Sequence, residues 1–260
     1  MVVDHYAIDS RLEEIVGSIV PNIMVIDDLA DRPHKCDLPL DQNWFGNDGL
    51  CRYHGLVPSE CKILLWPAYA LLAPEYSELR SVRSTRNGVV KRVLVFMGGS
   101  DTTNQTGKVI DAMTRPDLNK MAIDVVVGVN HPDPQGIARR VAARPGSNIF
   151  TDLPSLAGLM ARADMMIGGG GSTTWERMCL GLPAVVISIA DNQKLTNIAL
   201  MKAGYIYLLG QENKVSSEMI AAAVRAKLAD ASSPRSMSYL SLELIKGGGA
   251  EILAEHLLSI

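Results

Sequence analysis

From Lys91 onward, short runs of Val, Ile and Met alternate with amphipathic stretches, and no other feature restricts the fold of this chain so strongly. Residues 92–97 (RVLVFM), 122–127 (AIDVVV), 148–150, 165–167, 184–187 and 206–208 read as strands. Helices are expected between them over 105–113, 134–143, 153–162, 172–180 and 192–202. A strand that is apolar on both sides must be covered on both sides, which is the condition of a parallel sheet in a doubly wound α/β domain. The tail reads as three helices, 216–228, 234–245 and 250–258, the last following three glycines at 247–249. Such a tail packs on the same sheet or crosses back to another domain.

The first 80 residues carry fewer elements. Residues 2–4 and 23–26 are strand-like with a helix over 10–18 between them, one βαβ unit. Residues 37–40 and 62–65 read as two further short strands, and 41–60, rich in Gly, Asn, Asp and aromatics, as a long loop. The polar stretch 81–91 has no periodicity and reads as a linker. The expected division is therefore a domain over 1–80, a linker over 81–91 and a domain with a helical tail over 92–260. A few strands with one helix cannot bury both faces of a sheet, so the first domain reads as incomplete.

Composition excludes several classes of partner. The 260 residues carry a formal net charge of -3, with no basic excess for nucleic acid and no polybasic run for an anionic membrane. No apolar run approaches the roughly 20 residues that span a bilayer, and the first ten residues do not make a signal peptide. Cys36, Cys51, Cys61 and Cys179 lack CxxC spacing, so neither a zinc site nor a disulfide framework is expected. Reduced thiols and a cytoplasmic location are the simplest reading, with Cys179 in the core.

The candidate chemistry centres on residues 163–191 (ADMMIGGGGSTTWERMCLGLPAVVISIAD). A strand runs into Gly168, Gly169, Gly170 and Gly171, and Ser172 opens a helix. Glycine lets the backbone approach a ligand closely, and the first turn of a helix offers free N–H groups to a phosphate. Four glycines in a row exceed what a turn needs. Ser172 and Thr173 add hydroxyls, and Glu176 one turn on suits bidentate bonding of ribose hydroxyls. It is neither the dinucleotide fingerprint nor a Walker A loop. Gly98, Gly99, Ser100 and Asp101 form a second strand-to-helix junction on the same sheet edge, where open α/β sheets bind ligands. The amides of Asn192, Gln193 and Asn197 could reach a sugar or phosphate, or cap a helix. His34, His54, His131 and His256 read as loop or surface residues. His5, between Asp4 and Tyr6, and the pair Asp27–Asp28 each end a strand; no third metal ligand accompanies the carboxylates.

Taken together, GGGGSTTWERMCLGLPAVVISIADNQ, VLVFMGGSD, VIDDLADRPHKCDLPLDQN, YHGLVPSECKILLWPAYALL and VVDHYAID resemble the hydrolases of pseudaminic acid biosynthesis. These act on UDP-2,4-diacetamido-2,4,6-trideoxy-β-L-altropyranose. The second half is also similar to the lipid II-forming glycosyltransferases of the cell wall. The resemblance implies a GT-B-like fold of two Rossmann-like domains, the first on the sugar side and the second holding UDP. It implies that the Gly168–Thr173 loop (Gly169, Gly170, Gly171, Ser172, Thr173) meets the diphosphate and Glu176 the ribose, with Tyr6 and Asn192 near the sugar; the junction residues Gly99 and Ser100 and the amides of Asn192 and Gln193 complete the expected UDP contacts. It further implies a UDP-sugar substrate, attack of water on the anomeric carbon with inversion, and no cofactor or metal. The family's G-x-G-H-x-x-R motif, whose histidine is the expected base, is not among these residues, so the chain is expected to begin inside the first domain. A non-catalytic UDP-sugar-binding remnant and a GT-B glycosyltransferase are the alternatives.

Overall fold

The computed structural model describes residues 1–259, without the side chains of Asn47, Asp48 and Leu50; Ile260, the end of the expected second domain, lies outside the described residues. The chain divides into two compact units, Met1–Leu72 with Lys246–Ile260, and Ala73–Ile245. Both are built on parallel sheets, the α/β architecture that the apolar runs require.

In the first unit, strands β1 (Val2–Val3), β2 (Met24–Ile26), β3 (Leu38–Asp41) and β4 (Leu64–Leu65) lie in that order, all parallel. Helix α1 (Ser10–Gly17) is capped by the Asp9 carboxylate, which accepts from Arg11 N at 3.0 Å. Val3, Ile23, Val25 and Cys36 form the core on one side of the sheet. On the other side, Met24, Leu38, Leu40 and Leu64 pack with Leu253 of α10 (Gly249–Leu257). The last helix therefore covers the face that the first 80 residues leave open, choosing one of the two places the sequence allowed. Its entry is tight: a Cβ on Gly249 would lie 2.4 Å from the Ala70 carbonyl oxygen.

The second unit begins with helix α2 (Pro74–Ser81), which sequence reading misses although Pro74 in the first turn and Glu75 beside it are start signals. Then follow β5 (Arg92–Phe96), α3 (Gln105–Met113), β6 (Ala122–Val127), α4 (Pro134–Ala142), β7 (Ser147–Thr151), α5 (Ala157–Arg162) and β8 (Met165–Gly169). The unit continues with α6 (Thr173–Cys179), β9 (Ala184–Ser188), α7 (Gln193–Lys202), β10 (Tyr207–Gln211), α8 (Ser217–Ala229) and α9 (Ser232–Leu244). The sheet order is β10-β9-β8-β5-β6-β7, with every pairing parallel. The first strand of the series thus lies in the middle, and the order reverses between β5 and β8. This is the dinucleotide-fold order, with its crevice at that switch point.

Polar groups without a sequence signature hold this unit together. The 81–91 stretch is pinned rather than free: Arg86 donates to the carbonyls of Met160 and Ala163, at 2.9 and 3.1 Å, and of Leu180. Burial pushes its guanidinium down to about 10. Asp124, fully buried in β6, is held by Arg92, Arg162 and Asn148 at 2.8–3.0 Å. Arg144 is buried and donates to the carbonyls of Met113, Leu118 and Met121 at 2.9, 3.1 and 2.8 Å. Replacing Arg144 by Met removes the guanidinium from all three carbonyls, and Leu118 O keeps only Met121 N at 3.2 Å. Urea unfolding of the full chain should then show a loss of about 2–4 kcal/mol in the second unit; an unchanged midpoint would contradict this role.

A comparable cluster lies at the carboxyl ends of β2 and β3. Tyr53, 1% exposed, donates its hydroxyl toward Asp27 Oδ2 at 3.0 Å and lies 3.3 Å from Asp41 Oδ2. Arg32 meets Asp27 at 3.1 Å, and Arg52 stands 3.6 Å from Asp41. Burial outweighs these partners and pushes the Asp41 carboxyl up to about 6 from 3.8. The protonated carboxyl therefore favours the folded state. That contribution is complete below pH 3.8 and is lost as pH rises through about 6. Asp41→Asn should remove this pH dependence and raise stability at pH 7 by about 1–3 kcal/mol. Unfolding midpoints at pH 4 and pH 7 for both proteins provide the check.

Candidate functional site

The switch point sets two loops side by side. Phe96 at the end of β5 pairs with Gly168 in β8, so the chain leaves both strands at neighbouring points on one sheet edge. After β5, Gly98 adopts φ +83°, a conformation open to glycine, and Gly99 and Ser100 emerge exposed. The turn is held from below: Asn130 N donates to the Gly99 carbonyl at 2.9 Å. A Cβ on Gly128 would sit 2.3 Å from the Gly98 carbonyl and 2.4 Å from that of Gly99, so this crossing excludes a side chain. Asp101 turns inward and caps α3, accepting from Gln105 N and Thr106 N at 2.7 and 2.8 Å. His131 lies in a loop, as one of the two expected placements has it, but is buried there, with its Nε2 3.5 Å from Asp101 Oδ2. Sequence proximity gives no hint of that contact.

The four glycines divide by role. Gly168 and Gly169 belong to strand β8 and are buried. Their missing Cβ atoms are explained by neighbours: 2.7 Å to the Phe96 carbonyl at Gly168, and 2.9 Å to Ile189 Cδ1 at Gly169. At Gly170 a Cβ would meet Asn197 Nδ2 at 2.0 Å. Asn197 is fully buried and donates to Ser188 Oγ at 2.9 Å, so it packs the loop from inside, and the reading of its amide as a ligand contact is corrected. Gly170 N itself points to Gln193 Oε1 at 3.3 Å, and Ile189 N to the same oxygen at 3.2 Å. Gln193 thus ties two loop tips together through its carbonyl, and its Nε2 faces Gly171.

What is presented outward is the tip itself. Among the described residues, the N–H groups of Gly171, Ser172 and Thr173 donate to nothing in the chain, and the Ser172 side chain makes no capping bond at the start of α6. Ser172 is exposed and Thr173 half-buried. Asn192 opens α7 without a side-chain cap and is exposed, as is Asp191. Next to them, Ser188, Ile189, Ala190, Asp191, Gln211, Glu212 and Asn213 line a cavity of about 280 Å³. Its β10 side, Gln211 to Asn213, carries no sequence motif.

Glu176, one turn into α6, is half-buried. Burial raises its carboxyl above the usual range, while a hydrogen bond from the Tyr76 hydroxyl works against that rise. Tyr76 comes from α2, so missing that helix also misses the residue that orients Glu176.

Tyr6 belongs to the first unit, where it is exposed just past β1 and its hydroxyl donates to Asp28 Oδ2 at 3.2 Å. His5 accepts from Ala7 N at 3.1 Å and is exposed. His34 lies in a loop, as expected, but is buried, with Nδ1 2.7 Å from the buried Glu13 carboxylate. The spacing between the DRPH segment and the first helix gives no sign of that pair.

No family model matches the chain. In sequence it is 28% identical over 165 residues to the spore coat polysaccharide biosynthesis protein SpsG of Bacillus subtilis, covering 63% of this chain and 48% of that protein. It is 25% identical over 209 residues to the UDP-2,4-diacetamido-2,4,6-trideoxy-β-L-altropyranose hydrolase of Campylobacter jejuni, covering 79% of this chain and 72% of that one. The chain thus spans about half the length of the first relative. Its structure superposes on Acinetobacter baumannii MurG with a TM-score of 0.66 at 10% identity, over 100% of this chain and 73% of that one. It superposes on LpCGTa, solved in complex with UDP, with a TM-score of 0.68 at 12% identity, over 99% and 73%. The chain is therefore an α/β protein of the GT-B glycosyltransferase fold, similar in sequence to a UDP-sugar hydrolase and to a polysaccharide biosynthesis protein.

Proposed function

We propose that the second unit binds the UDP moiety of a UDP-linked amino sugar and serves its hydrolysis at the anomeric carbon. The observation that carries this reading is the tip at Gly171, Ser172 and Thr173, with unclaimed amides at the switch point beside Gly99 and Ser100. Oriented N–H groups at a helix start suit a diphosphate without a basic cluster, as a chain of net charge -3 requires. They stabilise the charge that grows on the departing diphosphate as the anomeric C–O bond breaks and water adds.

In this reading Glu176 accepts from the ribose hydroxyls, Asn192 and Gln193 Nε2 face the bound nucleotide sugar, and Gly169 and Gly170 support the loop from within. Tyr6 is assigned to the sugar side. The sequence similarity to the Campylobacter jejuni hydrolase supports the choice of substrate class and reaction. The fold likeness to MurG favours one second reading, transfer of the sugar to an acceptor other than water.

Two measurements test the proposal. Glu176→Ala should weaken UDP binding by calorimetry by about 1–3 kcal/mol, and wild-type affinity should fall with pH. Burial places the Glu176 carboxyl above 4.5, so loss of the accepting carboxylate begins above that pH. Unchanged affinity in the variant removes Glu176 from the site. Incubation with the UDP-sugar should release UDP at the same rate with and without added hydroxyl acceptors; release only with an acceptor would establish transfer.

A further inference from the structure

We propose that Cys36 and Cys61 form a redox site of the first unit, at which a hydroperoxide converts two thiols into one disulfide. Their sulfurs lie 3.8 Å apart, and Cys61 Sγ also stands 3.1 Å from the Cys36 carbonyl. Cys36 lies just ahead of β3 and Cys61 just ahead of β4, and Lys62 N already donates to the Asp37 carbonyl at 3.0 Å. The backbone therefore holds the two segments side by side, and a bond of about 2.05 Å requires the sulfurs to close by about 2 Å through side-chain rotation. No CxxC spacing announces the pair: the residues are 25 apart in sequence and meet only because β3 and β4 are neighbours.

The chemistry of the pair is asymmetric in a useful way. Cys36 is 7% exposed and Cys61 is half-buried. Both line a surface cavity of about 550 Å³ whose exposed charged residues are Glu14, Lys35, Asp37, Glu60 and Lys62, mixed charges that admit a small neutral oxidant. The two sulfurs share a weak hydrogen bond at 3.8 Å, which holds Cys61 below the usual thiol range and Cys36 above it, and the Cys61 thiol, when protonated, donates to the Cys36 carbonyl at 3.1 Å. Cys61, the more exposed sulfur on the cavity wall, is the nucleophile, and the buried Cys36 is the resolving thiol. The Cys61 thiolate attacks the terminal oxygen of the hydroperoxide. The O–O bond breaks, Cys61 becomes a sulfenic acid, and the alcohol or water leaves with one proton. Cys36 then attacks the Cys61 sulfur. The S–S bond forms, the S–O bond breaks, and the Cys36 proton departs with the hydroxyl as water. Two thiols lose two electrons in all, and the hydroperoxide gains them.

The disulfide closes the segment between the two cysteines, which carries Asp41, Arg52 and Tyr53. It therefore ties that buried cluster into the sheet and restricts the unfolded chain.

The test uses the full chain with Cys51→Ser, which removes the exposed competing thiol. One equivalent of hydrogen peroxide should lower the mass by two hydrogen atoms, yield a peptide linking Cys36 to Cys61, and raise the thermal midpoint, all reversed by dithiothreitol. Adding Cys36→Ser should stop the reaction at a Cys61 sulfenic acid that a 1,3-dione captures. In the reduced protein Cys61 should alkylate at least about tenfold faster than Cys36. Oxidation of Cys61 to sulfinic acid with Cys36 left as a thiol, or linkage seen only in denaturant, overturns the proposal. Both readouts need no nucleotide, so they stand apart from UDP binding.

Discussion

The pairing of β5 with β8 is the constraint on which the second unit depends. Because the first strand of the series lies mid-sheet, the chain must wind outward in two directions, and the two central strands release their loops at adjacent points. No side chain has to be recruited to make a crevice there; the topology opens one. The surrounding structure stiffens its walls. Gly128 lets the 98–100 turn rest on the neighbouring loop, Asp101 caps α3 beneath it, and Gln193 links the tips after β8 and β9. Loops fixed in this way lose little freedom when a ligand arrives.

The glycine run illustrates how one sequence signal can serve two purposes. Read alone, four glycines suggest backbone bared to a ligand. In the structure, Gly168, Gly169 and Gly170 lie where a Cβ would strike Phe96, Ile189 or Asn197, so close internal packing already accounts for them. Only the position after them faces outward, where the amides of Gly171, Ser172 and Thr173 are unclaimed. The glycines thus position the site more than they form it. Binding energy is therefore expected from the helix tip and from Glu176.

Much of the second unit was legible because its strands are apolar on both faces; the bounds of α3 and β6 match the sequence reading residue for residue. The first unit was less so. Strands of two to four residues carry little periodicity, and the cover for one face arrives from the far end of the chain as α10. Helix α2 is short, and its polar face hides it just ahead of the stretch read as linker, where the sequence reading places no element. Buried charge was the least legible element of all. Nothing local reveals that Glu13 meets His34, that Asp124 collects two arginines, or that Arg144 gathers carbonyls, because each contact joins residues more than 20 positions apart.

Hydrogen exchange with and without saturating UDP is the most direct measurement of the central claim, that a nucleoside diphosphate sits on the helix tip at the switch point. Slowed exchange confined to peptides covering residues 98–100 and 170–176 is the expected result. Unaltered exchange there, with protection elsewhere or nowhere, would contradict it.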